Sequence, residues 1–227
     1  MADMVINIPA ADWSSPYVSS VTRTVFDLQG TTLMQPDGCW DFVVIKRGAS
    51  AKMLRTGLTT RAVEFSHAPG DEVLALAFPP GTFMPLMPGE IMRDEGVMLE
   101  AVGSNRFRVG TEIMEIPRLD TADVFVDRLV RSGLVEINPI VRAVASGRPP
   151  AMSERTLQRH FLKTTGLTYK SFTQVERAQK AVSLLRQGQT AAEVAFALGY
   201  ADQPHLVRSL KSIMGQTPKA IAAKARC

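Results

Sequence analysis

Residues 153–170 read SERTLQRHFLKTTGLTYK, and residues 202–219 read DQPHLVRSLKSIMGQTPK, the same pattern moved on by 49 positions. Leu157 returns as Leu206, Arg159 as Arg208, Phe161 as Leu210, Gly166 as Gly215, Thr168 as Thr217 and Lys170 as Lys219. Each copy opens on a residue whose side chain caps helix N-termini, Ser153 or Asp202, and carries apolar residues four apart with a basic residue between them. Each then stops at a glycine. Two short helices of this kind cannot bury their apolar faces alone, and the arrangement predicts a pair of helix-turn-helix units.

Working outward, the whole C-terminal part reads as helices. Asn138-Pro139 starts a short one to Ser146, closed by Gly147 and the Pro149-Pro150 pair. A longer amphipathic helix runs over residues 170–186, with Phe172, Val175, Gln179, Val182 and Leu185 on one stripe, so a single polar residue interrupts an apolar face. Thr190 caps a helix over 191–198, and Pro218 begins a last one. Residues 119–134 also carry helical spacing, with Val126, Leu129, Val130 and Leu134 on one side.

Upstream the pattern changes. Short apolar or alternating runs at 22–28, 41–46, 61–66, 73–78 and 107–109 are separated by Pro36-Asp37-Gly38, Pro69-Gly70-Asp71, Pro79-Pro80-Gly81 and Pro88-Gly89, which preset turns. This predicts a β domain over residues 1–118 and a helical domain over 119–227, with Trp13 pinning the N-terminal arm. Charge divides the same way: ten Lys and Arg against fifteen Asp and Glu in residues 1–120, and sixteen against seven in 121–227. A basic domain joined to an acidic one is the footprint of a polyanion-binding module. The two cysteines, Cys39 and Cys227, suggest no disulfide framework, and no apolar run reaches membrane-spanning length; a cytoplasmic location and no membrane partner are expected.

On the repeated helices, Leu157 and Phe161 face inward in the first copy, as do Leu206, Leu210, Ile213 and Met214 in the second. Arg155, Gln158 and Arg159, and Gln203 and Arg208, are left outside. Arg can donate two parallel hydrogen bonds to guanine and Gln can pair with adenine, while Lys163, Lys211 and Lys219 and the capped helix starts at Ser153 and Thr190 suit phosphate. The stretch 190–206, TAAEVAFALGYADQPHL, with Gly215-Gln216-Thr217-Pro218, and the stretch 153–161 with Thr165-Gly166-Leu167, resemble the signature of the AraC/XylS family of bacterial transcription regulators. That resemblance implies two helix-turn-helix subdomains joined by a long helix and reading adjacent major grooves. Its base-reading positions match Arg155, Gln158, Arg159, Gln203, His205 and Arg208. One departure is evident: Gly147, Pro149 and Pro150 stand where the first scaffold helix should continue, which predicts a shortened helix and an altered turn.

The family commonly carries an N-terminal β domain that binds an effector or dimerises, and Pro36-Asp37-Gly38-Cys39-Trp40-Asp41 is similar to one branch of it. The expected class is therefore α+β, a cupin-like β domain followed by an all-α domain. His67 is the only histidine before residue 160, too few for a metal-dependent cupin, so neither an enzyme, a metal nor a cofactor is expected. Trp40, Phe83, Met84 and Met87 are candidates for lining an adaptable effector pocket. Duplex DNA is the expected partner, with RNA polymerase, a small-molecule effector and a second copy of the chain as further candidates. The alternative is a small-molecule-binding or catalytic cupin-like protein whose helices serve protein interaction.

Overall fold

The computed structural model describes residues 4–9 and 15–224; Trp13 and Cys227 lie outside them. The elements run β1 (Met4–Pro9), β2 (Ser20–Val25), β3 (Gly30–Met34), β4 (Trp40–Arg47), β5 (Ser50–Thr56), β6 (Val63–His67), β7 (Glu72–Phe78), β8 (Thr82–Phe83), α1 (Gly89–Met92), β9 (Gly96–Met98), β10 (Glu100–Ala101), β11 (Arg106–Val109) and β12 (Glu112–Glu115). There follow α2 (Ala122–Arg131), β13 (Glu136–Ile137), α3 (Pro139–Ala145), α4 (Glu154–Thr165), α5 (Tyr169–Arg186), α6 (Ala191–Ala197), α7 (Gln203–Met214) and α8 (Pro218–Lys224). A sheet-rich N-terminal region is thus followed by a helical C-terminal one, the expected α+β class.

The largest sheet is antiparallel throughout, in the order β1-β2-β7-β4-β5-β9. Alternation decides which face turns inward: on β4, Trp40, Phe42 and Val44 are buried while the residues between them are half-exposed. Trp40 stacks on Phe78 at 4.2 Å, and Phe42 meets Phe125 of α2 edge-on at 5.4 Å, so an aromatic chain ties sheet to helix.

That core does not stop where strands give way to helices. One apolar cluster contains Trp40, Phe42 and Phe78 together with Val141 of α3, Phe161 of α4 and Phe172 of α5. The first helix-turn-helix unit is therefore built onto the β domain. Burying Phe161 fully contributes about 1.5–3 kcal/mol to that union. Two further contacts bind it there. β13, just before α3, pairs with β8, and the backbone of Gly89 in α1 lies so close to Gly166 that a Cβ on either would strike the other's main chain.

The second unit has a core of its own, made of Ala178, Val182 and Leu185 from α5 with Val194, Leu206, Leu210 and Met214. It reaches the β domain through a few polar contacts. The Ala62 amide donates to the Ile213 carbonyl at 2.8 Å, and the Gln35 side chain donates to the Met214 carbonyl at 3.0 Å. Gln179, the one polar residue on the inner stripe of α5, donates to the Pro36 carbonyl at 3.0 Å. Its interruption of the apolar pattern marks the place where the helix crosses from one core to the other.

Candidate nucleic-acid interface

The repeat is reproduced in backbone detail. Both α4 and α7 are twelve residues long, and their C-caps Gly166 and Gly215 have φ of 75° and 67°, the left-handed region open to glycine. The Ser153 hydroxyl accepts from the Thr156 amide at 3.3 Å, and the Asp202 carboxylate accepts from the His205 amide at 2.6 Å. The Asp202 cap also places a negative charge at the positive end of the helix dipole. Asp202→Ala is expected to cost about 1 kcal/mol and lower Tm by about 2–4 °C in thermal unfolding; an unchanged Tm would show that water replaces the cap without loss.

One expectation is corrected here. The first scaffold helix is not shortened: α3 and α6 are both seven residues. Asn138 holds α3 by accepting from the Ile140 amide at 3.1 Å, and its amide nitrogen donates to Thr164 of α4 at 2.8 Å. Gly147 and the proline pair instead lengthen the turn, which takes eight residues (146–153) against five (198–202) in the second unit.

Arg155, Arg159 and Lys163 are all exposed and four apart, hence on one face of α4, with Gln158 half-buried. On α7, Gln203, Arg208 and Lys211 are exposed. His205 is half-buried: its ring meets Tyr200 edge-on at 5.3 Å, and its Nδ1 accepts from the Ala201 amide at 3.3 Å. Its imidazole is thereby engaged in holding the turn before α7. Thr190 is also committed, since its amide and hydroxyl both donate to the Glu193 carboxylate at 2.8 Å. That box places an acidic group at the start of α6 and lowers the Glu193 pKa through those hydrogen bonds.

A groove of about 480 Å³ opens where the end of α5 meets the starts of α6, α7 and α8. Arg186, Gln189, Thr190, Gln203 and Lys219 line it. Three expected residues, Thr190, Gln203 and Lys219, are thus brought together from different helices. Arg186 joins them without having been singled out by sequence reasoning; the signal was a basic residue in the last turn of a helix.

The ion pairs among the described residues stop short of the repeated helices. Every ion pair among the described residues uses an arginine at or before Arg131. None engages Arg155, Arg159, Lys163, Arg208, Lys211 or Lys219. Cations gathered on exposed helix faces and not tied up in ion pairs leave a field suited to a polyanion.

The four candidates for an effector pocket lie elsewhere. Trp40 and Met84 are fully buried in the core, with the Trp40 indole donating to the Thr82 carbonyl at 2.7 Å. Phe83 pairs across β8 with Glu136, and Met87 packs against the same core. None of the four lines the groove described above or the cavity described below.

Residues 150–224 match the family model of a helix-turn-helix domain. Over 74 residues, 33% of this chain, the sequence is 36% identical to the HTH-type transcriptional regulator NimR of Escherichia coli, and the match covers 27% of that relative's length. Among solved structures the chain is similar to ToxT from Vibrio cholerae bound to (E)-4-(8-methylnaphthalen-1-yl)but-3-enoic acid, at 10% identity and a TM-score of 0.43, covering 99% of this chain and 100% of that one. A further ToxT structure from Vibrio cholerae matches at 9% identity and a TM-score of 0.38, covering 100% and 98%.

Proposed function

We propose that this chain is a transcription regulator of the AraC type, a reading supported by its helix-turn-helix residues 150–224, and that it binds specific duplex sequences by laying α4 and α7 in adjacent major grooves. The single observation that carries this reading is the duplicated helix. Two copies 49 residues apart, with matching caps and lengths, each put arginine and glutamine outward on a face free of acidic partners. Arg155, Gln158, Arg159, Gln203 and Arg208 are the proposed base readers. Lys163, Lys211 and Lys219, joined by Arg186, take phosphate, while His205 shapes the turn that aims α7. The β domain serves as the sensing or assembly part, and the protein acts without catalysis.

Binding to duplexes selected from a random pool tests this. Neutralising about six phosphates releases counterions, so the logarithm of affinity is expected to fall with the logarithm of salt at a slope of about −5. Enrichment of no sequence, together with an affinity insensitive to salt, would remove the assignment.

A further inference from the structure

A second cavity, of about 400 Å³, lies where the β domain meets the helices. Its walls come from three places: the turns around Pro16, Asp37 and Pro79-Pro80, the end of α3 at Arg142 and Ser146, and the inner side of α5 at Phe172, Glu176 and Gln179. Pro79, Pro80 and Phe172 give it apolar surface. Its polar groups are unequally engaged. Arg142 Nη2 donates to the Pro16 carbonyl at 2.8 Å and to Thr82 Oγ1 at 3.2 Å. Ser146 donates to the Arg142 carbonyl at 2.9 Å, and the Gln179 amide nitrogen is spent on Pro36.

The acceptors are less occupied. Asp37 accepts through Oδ1 from the Cys39 amide at 2.9 Å, and its carboxylate is also supported by its own backbone N–H. The Glu176 carboxylate has no hydrogen-bond or ion-pair partner among the described residues. Desolvation raises the pKa of both acids, Asp37 at the open mouth of the cavity and half-buried Glu176; neither makes an ion pair among the described residues, and Lys180 offsets Glu176 only through space.

We propose that this junction cavity binds a small organic cation, an amine with an apolar body whose ammonium group sits between Asp37 and Glu176 and whose hydrocarbon part rests on Phe172 and the prolines. The occupant touches the β domain, α3 and α5 at once. Each of the two helix-turn-helix units hangs on one of those helices, α3 leading into α4 and α5 leading into α6. A ligand here stiffens the angle between the units and so changes how well α4 and α7 fit neighbouring grooves together. The inference rests on the reading of the chain as an effector-responsive regulator and names the chemical class of the effector.

Thermal unfolding of the full chain with phenethylamine, and separately with its anionic counterpart phenylacetate, provides the test. Phenethylamine well above its dissociation constant is expected to raise Tm by about 5 °C, and phenylacetate to leave it unchanged. Glu176→Gln and Asp37→Asn keep the size and much of the hydrogen bonding of each side chain, and each is expected to weaken the amine response about tenfold, read as the shift from that variant's own ligand-free Tm, which for Asp37→Asn rises because the carboxylate beside Asp41 is gone. Equal stabilisation by phenylacetate, an undiminished response in both variants, or no shift with the amine at about 10 mM, would each overturn the proposal. Binding of the unliganded protein to its selected duplex is measured separately. Its loss would strike the regulator reading, whereas failure of the amine arm alone leaves that reading standing.

Discussion

Arg208→Ala is expected to weaken binding to the selected duplex by about 1–3 kcal/mol, roughly five- to 150-fold, and to relax preference at one base pair. The reason is geometric. Arg208 is exposed on the outer face of a helix whose inner face, Leu206, Leu210 and Met214, is fully buried, so the side chain has one direction to go. No acid holds it back among the described residues, and its guanidinium fork matches the two acceptors on a guanine edge. Lys211→Ala, one turn on, is expected to weaken selected and random duplexes alike, because a phosphate contact carries no sequence information. Arg159→Ala should cost less than Arg208→Ala, since the eight-residue connection before α4 aims that helix less tightly than the five-residue turn before α7. Titrating each variant against the selected duplex and a scrambled one separates these roles. Equal losses on both duplexes for Arg208→Ala would reassign that side chain to the backbone, and a larger loss at Arg159 would reverse the ranking.

The helical half was legible because its signals are local. Caps at Ser153, Thr190 and Asp202, stops at Gly166 and Gly215, and apolar spacing of three and four all act within a few residues of where they stand. The strands were harder to see where a residue breaks its own alternation. On β5, Arg55 occupies an inward position at 2% exposure, lying over the Trp40 ring at 4.3 Å, so a charged residue sits where the pattern asks for an apolar one. β3 carries Gly30, Thr31 and Thr32, a run without an apolar face, and is fixed by pairing with β6. Other features have no local signature at all. The approach of Gly89 to Gly166, the docking of Ala62 and Gln35 on the end of α7, and the continuation of one core from Trp40 to Phe172 depend on residues far apart in the chain. So does the fate of the methionine-rich run. Thioethers suit a pocket and a core equally, and only the tertiary packing decides that Met84 belongs to the core.

Asp41→Asn is expected to stabilise the protein at pH 8 and to do so less as the pH falls. Asp41 pairs with Ala77 of β7, and burial, reinforced by the neighbouring Asp37, pushes its carboxyl up to about 8. Its ordinary value is about 3.9. Between these two values the folded chain holds a proton that the unfolded chain has released, so folding stability falls as pH rises through that window and levels off above about 8. One such proton is worth at most about 1.4 kcal/mol per pH unit. Asparagine can still accept the hydrogen bond that Thr56 Oγ1 gives to Oδ2 at 3.2 Å, which leaves the local geometry in place. The buried guanidinium of Arg55 loses little, since below pH 8 a protonated Asp41 offers it no charge; its support comes from the Thr56 carbonyl at 2.7 Å and from the Trp40 ring. Tm measured from pH 5 to pH 9 for both proteins should therefore converge toward pH 5 and diverge toward pH 8, with the variant above. A difference of the same size at every pH would show that the substitution acts through packing, and a variant less stable at pH 8 would show that Asp41 is ionised there and serves Arg55 as a counter-ion.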